Sequence, residues 1–96
     1  MPWQGQNFAY TRASIVQNAP SVSGVYAIWK QGTWIYVGET NDLKRRMLEH
    51  YDGDNACITR NAPTGFGFEV VQAATRVARQ NQLIGELKPA CNQMLG

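Results

Sequence analysis

Two short runs in the first half of the chain are dominated by β-branched and aromatic residues, Gly24 to Lys30 and Thr33 to Val37, with Gln31-Gly32 between them. Runs of that length and composition, broken by a glycine-containing pair, predict the two strands of a β-hairpin. The register depends on the loop. A two-residue turn pairs Tyr26 with Val37 and sends Tyr26 and Tyr36 to opposite faces. A three-residue loop with Gly32 in a left-handed bulge sets Tyr26 directly across from Tyr36. We expect the bulged register, because only it brings both hydroxyls to one surface.

The flanking segments carry helical patterns. The first ten residues are polar and aromatic and read as an irregular lead-in. Thr11 to Asn18 reads as a short helix with Ile15 and Val16 inward, ended at Ala19-Pro20 because the residue before a proline disfavours helix. Thr40-Asn41-Asp42 is a helix start, and the helix runs to about His50. Leu43, Arg46, Met47 and His50 then share one face. Tyr51 to Thr64 reads as a polar loop, with Asp52-Gly53-Asp54-Asn55 as a turn. Phe66 to Val71 reads as a third strand, and Thr75 to Leu87 as a second long helix stopped by Pro89. On that last helix Val77, Leu83, Ile84 and Leu87 define an apolar arc. Gln80 falls in the middle of it and Glu86 on the opposite, wet face. An inward polar side chain is either hydrogen-bonded or faces a cleft.

Composition narrows the class. The chain has 96 residues, enough for one core, so residues 1–96 are read as one domain with its motif-bearing part at 22–92. The apolar share is that of an ordinary globular protein, and no apolar run approaches the roughly 18–20 residues a membrane span needs. The start, Met1-Pro2-Trp3-Gln4-Gly5, lacks the features of a secretion signal. We therefore expect a cytoplasmic or intracellular protein, with Cys57 and Cys91 as reduced, partly buried thiols. A net charge of +2 is too small to imply nucleic acid by itself. Lys44, Arg45 and Arg46 are nonetheless contiguous, and Arg60, Arg76, Arg79 and Lys88 follow.

Phosphodiester hydrolysis requires that water be deprotonated, phosphate charge neutralised and the reacting groups aligned. Tyrosine and histidine can carry the proton, arginine matches phosphate oxygens with its planar fork, and a carboxylate holds Mg²⁺. Tyr26, Tyr36, Arg46 and His50 offer the first roles. Singly each has an ordinary structural reading: the tyrosines as sheet-packing residues, Arg46 as a surface cation, His50 as a satisfied structural histidine, Asn92 as a cap.

Their order is more specific. Gly24-Val25-Tyr26, nine intervening residues, Tyr36-Val37-Gly38, then Arg46 and His50, then Leu83-Ile84 and Leu87-Lys88-Pro89 leading to Asn92, resembles the GIY-YIG endonuclease superfamily across Gly24 to Asn92. Val25 and Val37 stand where the motifs usually have isoleucine. The resemblance implies an α+β fold, a small three-stranded antiparallel sheet flanked by helices. It implies a DNA endonuclease using Mg²⁺ or Mn²⁺ on duplex, branched or damaged DNA, in repair, restriction or mobile-element settings. Residue by residue, it implies that Tyr26 or Tyr36 positions the attacking water or passes on a proton and that Arg46 contacts the scissile phosphate. His50 would assist proton transfer and Asn92 buttress the site. Gly38, Thr40, Lys44 and Arg45 would lie along the nucleic acid.

Two positions depart from the family. Glu39 places negative charge near the phosphate path. Gln80 stands where the family carries its metal-binding glutamate. A carboxamide is nearly isosteric but neutral, so a weakened or absent metal and severely impaired cleavage are expected. A deliberate Glu→Gln exchange, natural drift to a binding-only protein, or a substitute ligand at Glu39 or Glu69 would each fit; Glu86 has the wrong helical phase. The alternative functions are a non-catalytic nucleic-acid-binding module on the same fold, and a small protein-interaction domain using Trp3, Phe8 and Tyr10.

Overall fold

The computed structural model describes residues 6–94, with side chains through Asn92. Its elements run β1 Phe8–Ala9, α1 Arg12–Asn18, β2 Gly24–Lys30, β3 Thr33–Thr40, α2 Leu43–Tyr51, α3 Ala56–Arg60, β4 Gly65–Val70, α4 Ala73–Leu87, and a final 3-10 turn over Ala90–Met94. The sheet has four strands in the order β1-β4-β2-β3, all pairs antiparallel. The expected three strands are therefore joined by a fourth. β1 is only two residues long and pairs Phe8 with Phe66 and Ala9 with Gly65, a partnership across the chain that local pattern cannot announce.

Helices cover both faces of the sheet. On one face Ile15 of α1, Leu43 and Met47 of α2, Ile58 of α3 and Cys91 close over Tyr26, Ile28, Ile35, Phe66 and Phe68. On the other, Leu83 of α4 closes over Val25, Ala27 and Val37, with Trp29, Trp34, Ile84 and Leu87 around it. Two expected inward residues are not inward. Val16 is 50% and Val77 52% exposed. Each sits about 100–120° around its helix from the buried anchor, Ile15 or Leu83, and one narrow stripe is all these helices bury. The sheet side of α4 carries instead Arg76, which bonds Glu39 of β3 at 2.5 Å, and Arg79, which holds Glu69 of β4 through two bonds of 2.8 and 2.9 Å.

The hairpin takes neither simple register. Lys30 pairs Thr33 and Trp29 pairs Trp34 around a two-residue turn, with Gly32 at φ 77°. The ladder then slips, so that Ile28 pairs Tyr36 and Tyr26 pairs Gly38. The extra residue, Ile35, is a bulge in the strand rather than in the loop. Tyr26 and Tyr36 do share a face as expected, but as diagonal neighbours and not directly across, their rings 6.1 Å apart.

Helix α2 begins as its sequence dictates. Asp42 Oδ1 accepts from Arg45 N at 3.0 Å, and Thr40 Oγ1 accepts from Asp42 N at 3.1 Å. The stretch after it is not all loop. Asn55 Oδ1 accepts from the amides of Cys57 and Ile58 and opens α3, a helix too short to show a period. Cys57 of α3 and Cys91 of the final turn form a disulfide. This overturns the expectation of reduced thiols: 34 residues of separation give no signal, and only the packing of α3 against the end of the chain brings the sulfurs together.

Candidate active site

The strands and α2 bring four of the expected residues together. Tyr26 on β2 is buried, and its hydroxyl lies 2.7 Å from His50 Nε2. The His50 ring is also buried and packs 5.3 Å from the ring of Tyr36 on β3. His50 Nδ1 lies 2.9 Å from Asp54 Oδ1. Arg46, one turn before His50, donates through Nη1 to Asp54 Oδ2 at 2.6 Å and to Glu49 Oε1 at 2.8 Å. Hydroxyl, imidazole, carboxylate and guanidinium thus form one connected series. Its far member, Asp54, was legible only as a turn residue, although it follows His50 by four, the spacing at which helical neighbours meet.

The burial of this group sets its electrostatics. Burial pushes the Tyr26 phenol far above its ordinary range, with Tyr36 adding to the shift and the Arg46 charge opposing it. Tyr26 is therefore a protonated hydroxyl. Burial and the neighbouring Arg46 lower His50 below its ordinary value, while Asp54 pulls it back up, so the ring is neutral near pH 7. Partial burial works against the charge on Arg46, but Glu49, Tyr26 and Asp54 outweigh it and the guanidinium stays a cation.

Asn92 closes one end of the site. Its Oδ1 accepts from Val37 N at 2.7 Å and its Nδ2 donates to Val37 O at 2.8 Å. A side-chain amide here replaces a neighbouring strand on the open edge of β3. Tyr36, Asp54, Asn55, Arg60 and Asn92, with the disulfide, line a concave pocket of about 530 Å³. Tyr36 is thus the tyrosine that faces the groove, whereas Tyr26 stands behind it.

Gly38 has a role inside the protein. A Cβ there would lie 2.3 Å from the Tyr26 hydroxyl oxygen and 2.5 Å from its Cζ; the phenol fills the space. Gly24, the first residue of the paired motif, is fixed in the same way, since a Cβ there would meet the Glu69 carbonyl oxygen at 2.3 Å. Gly38→Ala is expected to push Tyr26 off His50 and to destabilise the fold by about 1–3 kcal/mol. An unchanged urea midpoint would contradict this. Of the residues expected along nucleic acid, Thr40 is buried in the turn that starts α2, while Arg45 is exposed and braced by Asn41. Lys44 lies beside it on α2.

Gln80 stands apart. It is half-buried on α4, the helix whose Leu83 packs against Val25, Ala27 and Val37, and its amide nitrogen is 3.5 Å from Asn81 Oδ1. Among the described residues no hydrogen bond joins it to Tyr26, Tyr36, Arg46, His50 or Asn92. The two acids that could have substituted for a glutamate at this position are engaged, Glu39 with Arg76 and Glu69 with Arg79. No cluster of three or more histidine, cysteine or acidic side chains suited to a metal occurs among the described residues. The described residues therefore offer no ready-made cage of charged ligands for a divalent cation. Nor do the aromatics proposed for a protein interface form a free surface: Phe8 packs on Phe66 and Phe68, and Tyr10 on Tyr51. Trp3 lies outside the described residues. No described helix is long and apolar enough to cross a membrane.

Known proteins share this architecture. The N-terminal endonuclease domain of UvrC from Thermotoga maritima, in a structure with magnesium as its catalytic divalent cation, superposes with a TM-score of 0.74 at 24% identity, over 84% of this chain and 93% of that one. A variant of that domain with an asparagine replaced by alanine, also bound to its catalytic cation, gives 0.73 at 23% identity, over 83% and 91%. In sequence, UvrABC system protein C of Aquifex aeolicus is 37% identical over 54 residues, 51% of this chain. That of Fervidobacterium nodosum is 29% identical over 84 residues, 84% of this chain. The chain spans only 10% and 15% of the length of those two relatives. The family profile described as the GIY-YIG catalytic domain matches residues 22–87, and with both tyrosine motifs, α2 and the whole of α4 inside that span, the chain belongs to the GIY-YIG family.

Proposed function

We propose that this chain is a DNA-directed GIY-YIG endonuclease module, acting inside the cell as one domain over residues 1–96, whose own cleavage is impaired at Gln80. The observation that carries the nuclease reading is the meeting of Tyr26, Tyr36, Arg46 and His50 on one face of the sheet, beside a groove that Asn92 closes. In this reading Tyr36 meets the substrate, and Arg46 exchanges its carboxylates for a phosphate. Lys44 and Arg45 lie along the backbone of duplex, branched or damaged DNA, while Asn92 holds β3 in place. A divalent cation, Mg²⁺ or Mn²⁺, would neutralise phosphate charge from the α4 side if a glutamate stood at position 80; with Gln80 it binds weakly or not at all.

The pairing of Glu39 with Arg76 and Glu69 with Arg79 favours a second reading, a binding-only member of the family, because it removes the substitute ligands. Both readings require DNA affinity. The chain is expected to bind duplex DNA without metal. Lys44→Ala and Arg45→Ala together should flatten the salt dependence by about 0.9 log units per lost phosphate contact. Arg46→Ala should abolish any cleavage. Fluorescence anisotropy across a salt series checks the first point, and absence of DNA affinity at low salt would remove both readings.

A further inference from the structure

The Asp54 carboxylate has no part in the family resemblance, yet it touches two of the residues on which the proposed chemistry rests. We propose that Asp54 is a positioning residue that fixes the tautomer of His50, so that Nε2 is left as the acceptor for the Tyr26 hydroxyl. The inference rests on the nuclease reading for its consequence, but not for its geometry.

The argument runs along the hydrogen bonds. A carboxylate is an acceptor only, so the 2.9 Å contact requires His50 Nδ1 to carry a hydrogen and donate it to Asp54 Oδ1. In the neutral ring Nε2 then has a lone pair, and the Tyr26 hydroxyl donates to it across 2.7 Å. With the tautomer reversed, both contacts fail: Nδ1 would set a lone pair against a carboxylate, and Nε2–H would compete with the phenol proton. Transfer of the Tyr26 proton to Nε2 turns phenol and imidazole into phenolate and imidazolium, with no change in total charge. The carboxylate on Nδ1 is what stabilises the imidazolium. The groups facing His50 are Tyr26 from β2, Tyr36 from β3, Arg46 and Glu49 from α2, and Asp54 itself, with Tyr10 beside Asp54. Of these only Asp54 reaches Nδ1. Its side chain is 34% accessible, so an exchange there opens no core cavity.

Because His50 is the only histidine in the chain, its ring nitrogens give one unambiguous pair of ¹⁵N signals. In the chain as it stands, those signals should report the Nδ1–H tautomer. Asp54→Asn should shift the population toward Nε2–H and lower the pH at which the ring protonates. Glu49→Gln, which strips Arg46 of its other carboxylate and acts on the ring by charge alone, should leave the tautomer unchanged and move the protonation pH less. In the Gln80→Glu background, Asp54→Asn should lower the plateau of plasmid nicking by about 10-fold or more and move its acid limb to lower pH. Glu49→Gln should move the acid limb less than Asp54→Asn does. An unshifted tautomer in Asp54→Asn overturns the proposal, as does an equal shift in Glu49→Gln or an undiminished plateau. If Gln80→Glu does not nick at all, the nuclease reading fails separately and the ¹⁵N result decides the role of Asp54.

Discussion

Gln80→Glu is expected to nick supercoiled plasmid in Mg²⁺ at least about 10²-fold faster than the parent chain, a difference of roughly 2.7 kcal/mol in barrier. A hard divalent cation is held by carboxylate charge, and a neutral carboxamide offers it one carbonyl oxygen. Everything else in the local inventory is committed. Arg76 neutralises Glu39, and Arg79 clasps Glu69 with both arms. In the proposed reading, a single restored charge at position 80 would supply the missing metal ligand, and the half-buried place of Gln80 on α4 requires no repacking to accept it. Calorimetric titration with Mg²⁺ and Mn²⁺ should show binding to the variant and little to the parent, while chelator should abolish the nicking. Equal cutting by parent and variant would show that Gln80 is not the determinant. Silence from both, with tight DNA binding by both, would establish the binding-only reading.

Reduction of the Cys57–Cys91 bond is expected to cost the fold about 4 kcal/mol, from the chain entropy released when a loop of this length opens. The bond closes a separation of 34 residues. Against a total stability of roughly 5–15 kcal/mol for a natural domain, that is a large share, and it corresponds to a fall in Tm of about 20 °C. The loss would concentrate at the site. Asn92 follows Cys91 directly and clasps the backbone of Val37, while Asn61 donates to Cys57 O at 2.8 Å from the other side. Thermal unfolding of Cys57→Ser, or of the chain with and without reductant, measures the effect. Coincident curves would show that the packing of α3 alone holds the end of the chain.

Much of this architecture is written locally. The two hairpin strands, the Asp42-capped start of α2, and the shared face of Leu43, Arg46, Met47 and His50 follow from residue type and helical or strand period. Those signals act over a few residues, and the structure keeps them. The parts not visible in the sequence are those that depend on distant partners. β1 exists because Phe8 finds Phe66 and Phe68. The disulfide exists because α3 and the final turn meet. The tyrosine positions turned on a slip within β3, which loop chemistry could not reveal. Asp54 lay between the two cases. Its spacing from His50 is helical, but Asp52-Gly53 reads as a turn and masks that spacing. In the structure the chain reverses just there and returns a carboxylate to the helix it has left.

The bulge at Ile35 also divides the hairpin into two independent reading frames. On the turn side, Trp29 and Trp34 obey one count; beyond it, Tyr26 and Gly38 obey another. The tip at Gln31-Gly32, both exposed, can therefore be rebuilt, lengthened or fused to a foreign segment while the tyrosine face keeps its geometry, provided the slipped residue stays. Deleting Ile35 alone would leave an unbroken ladder with Tyr36 still opposite Ile28, but it would take a fully buried side chain out of the core beneath the tyrosine face. For grafting this scaffold, the place to insert is the tip, and the residue to leave alone is an apolar one that makes no chemical contribution of its own.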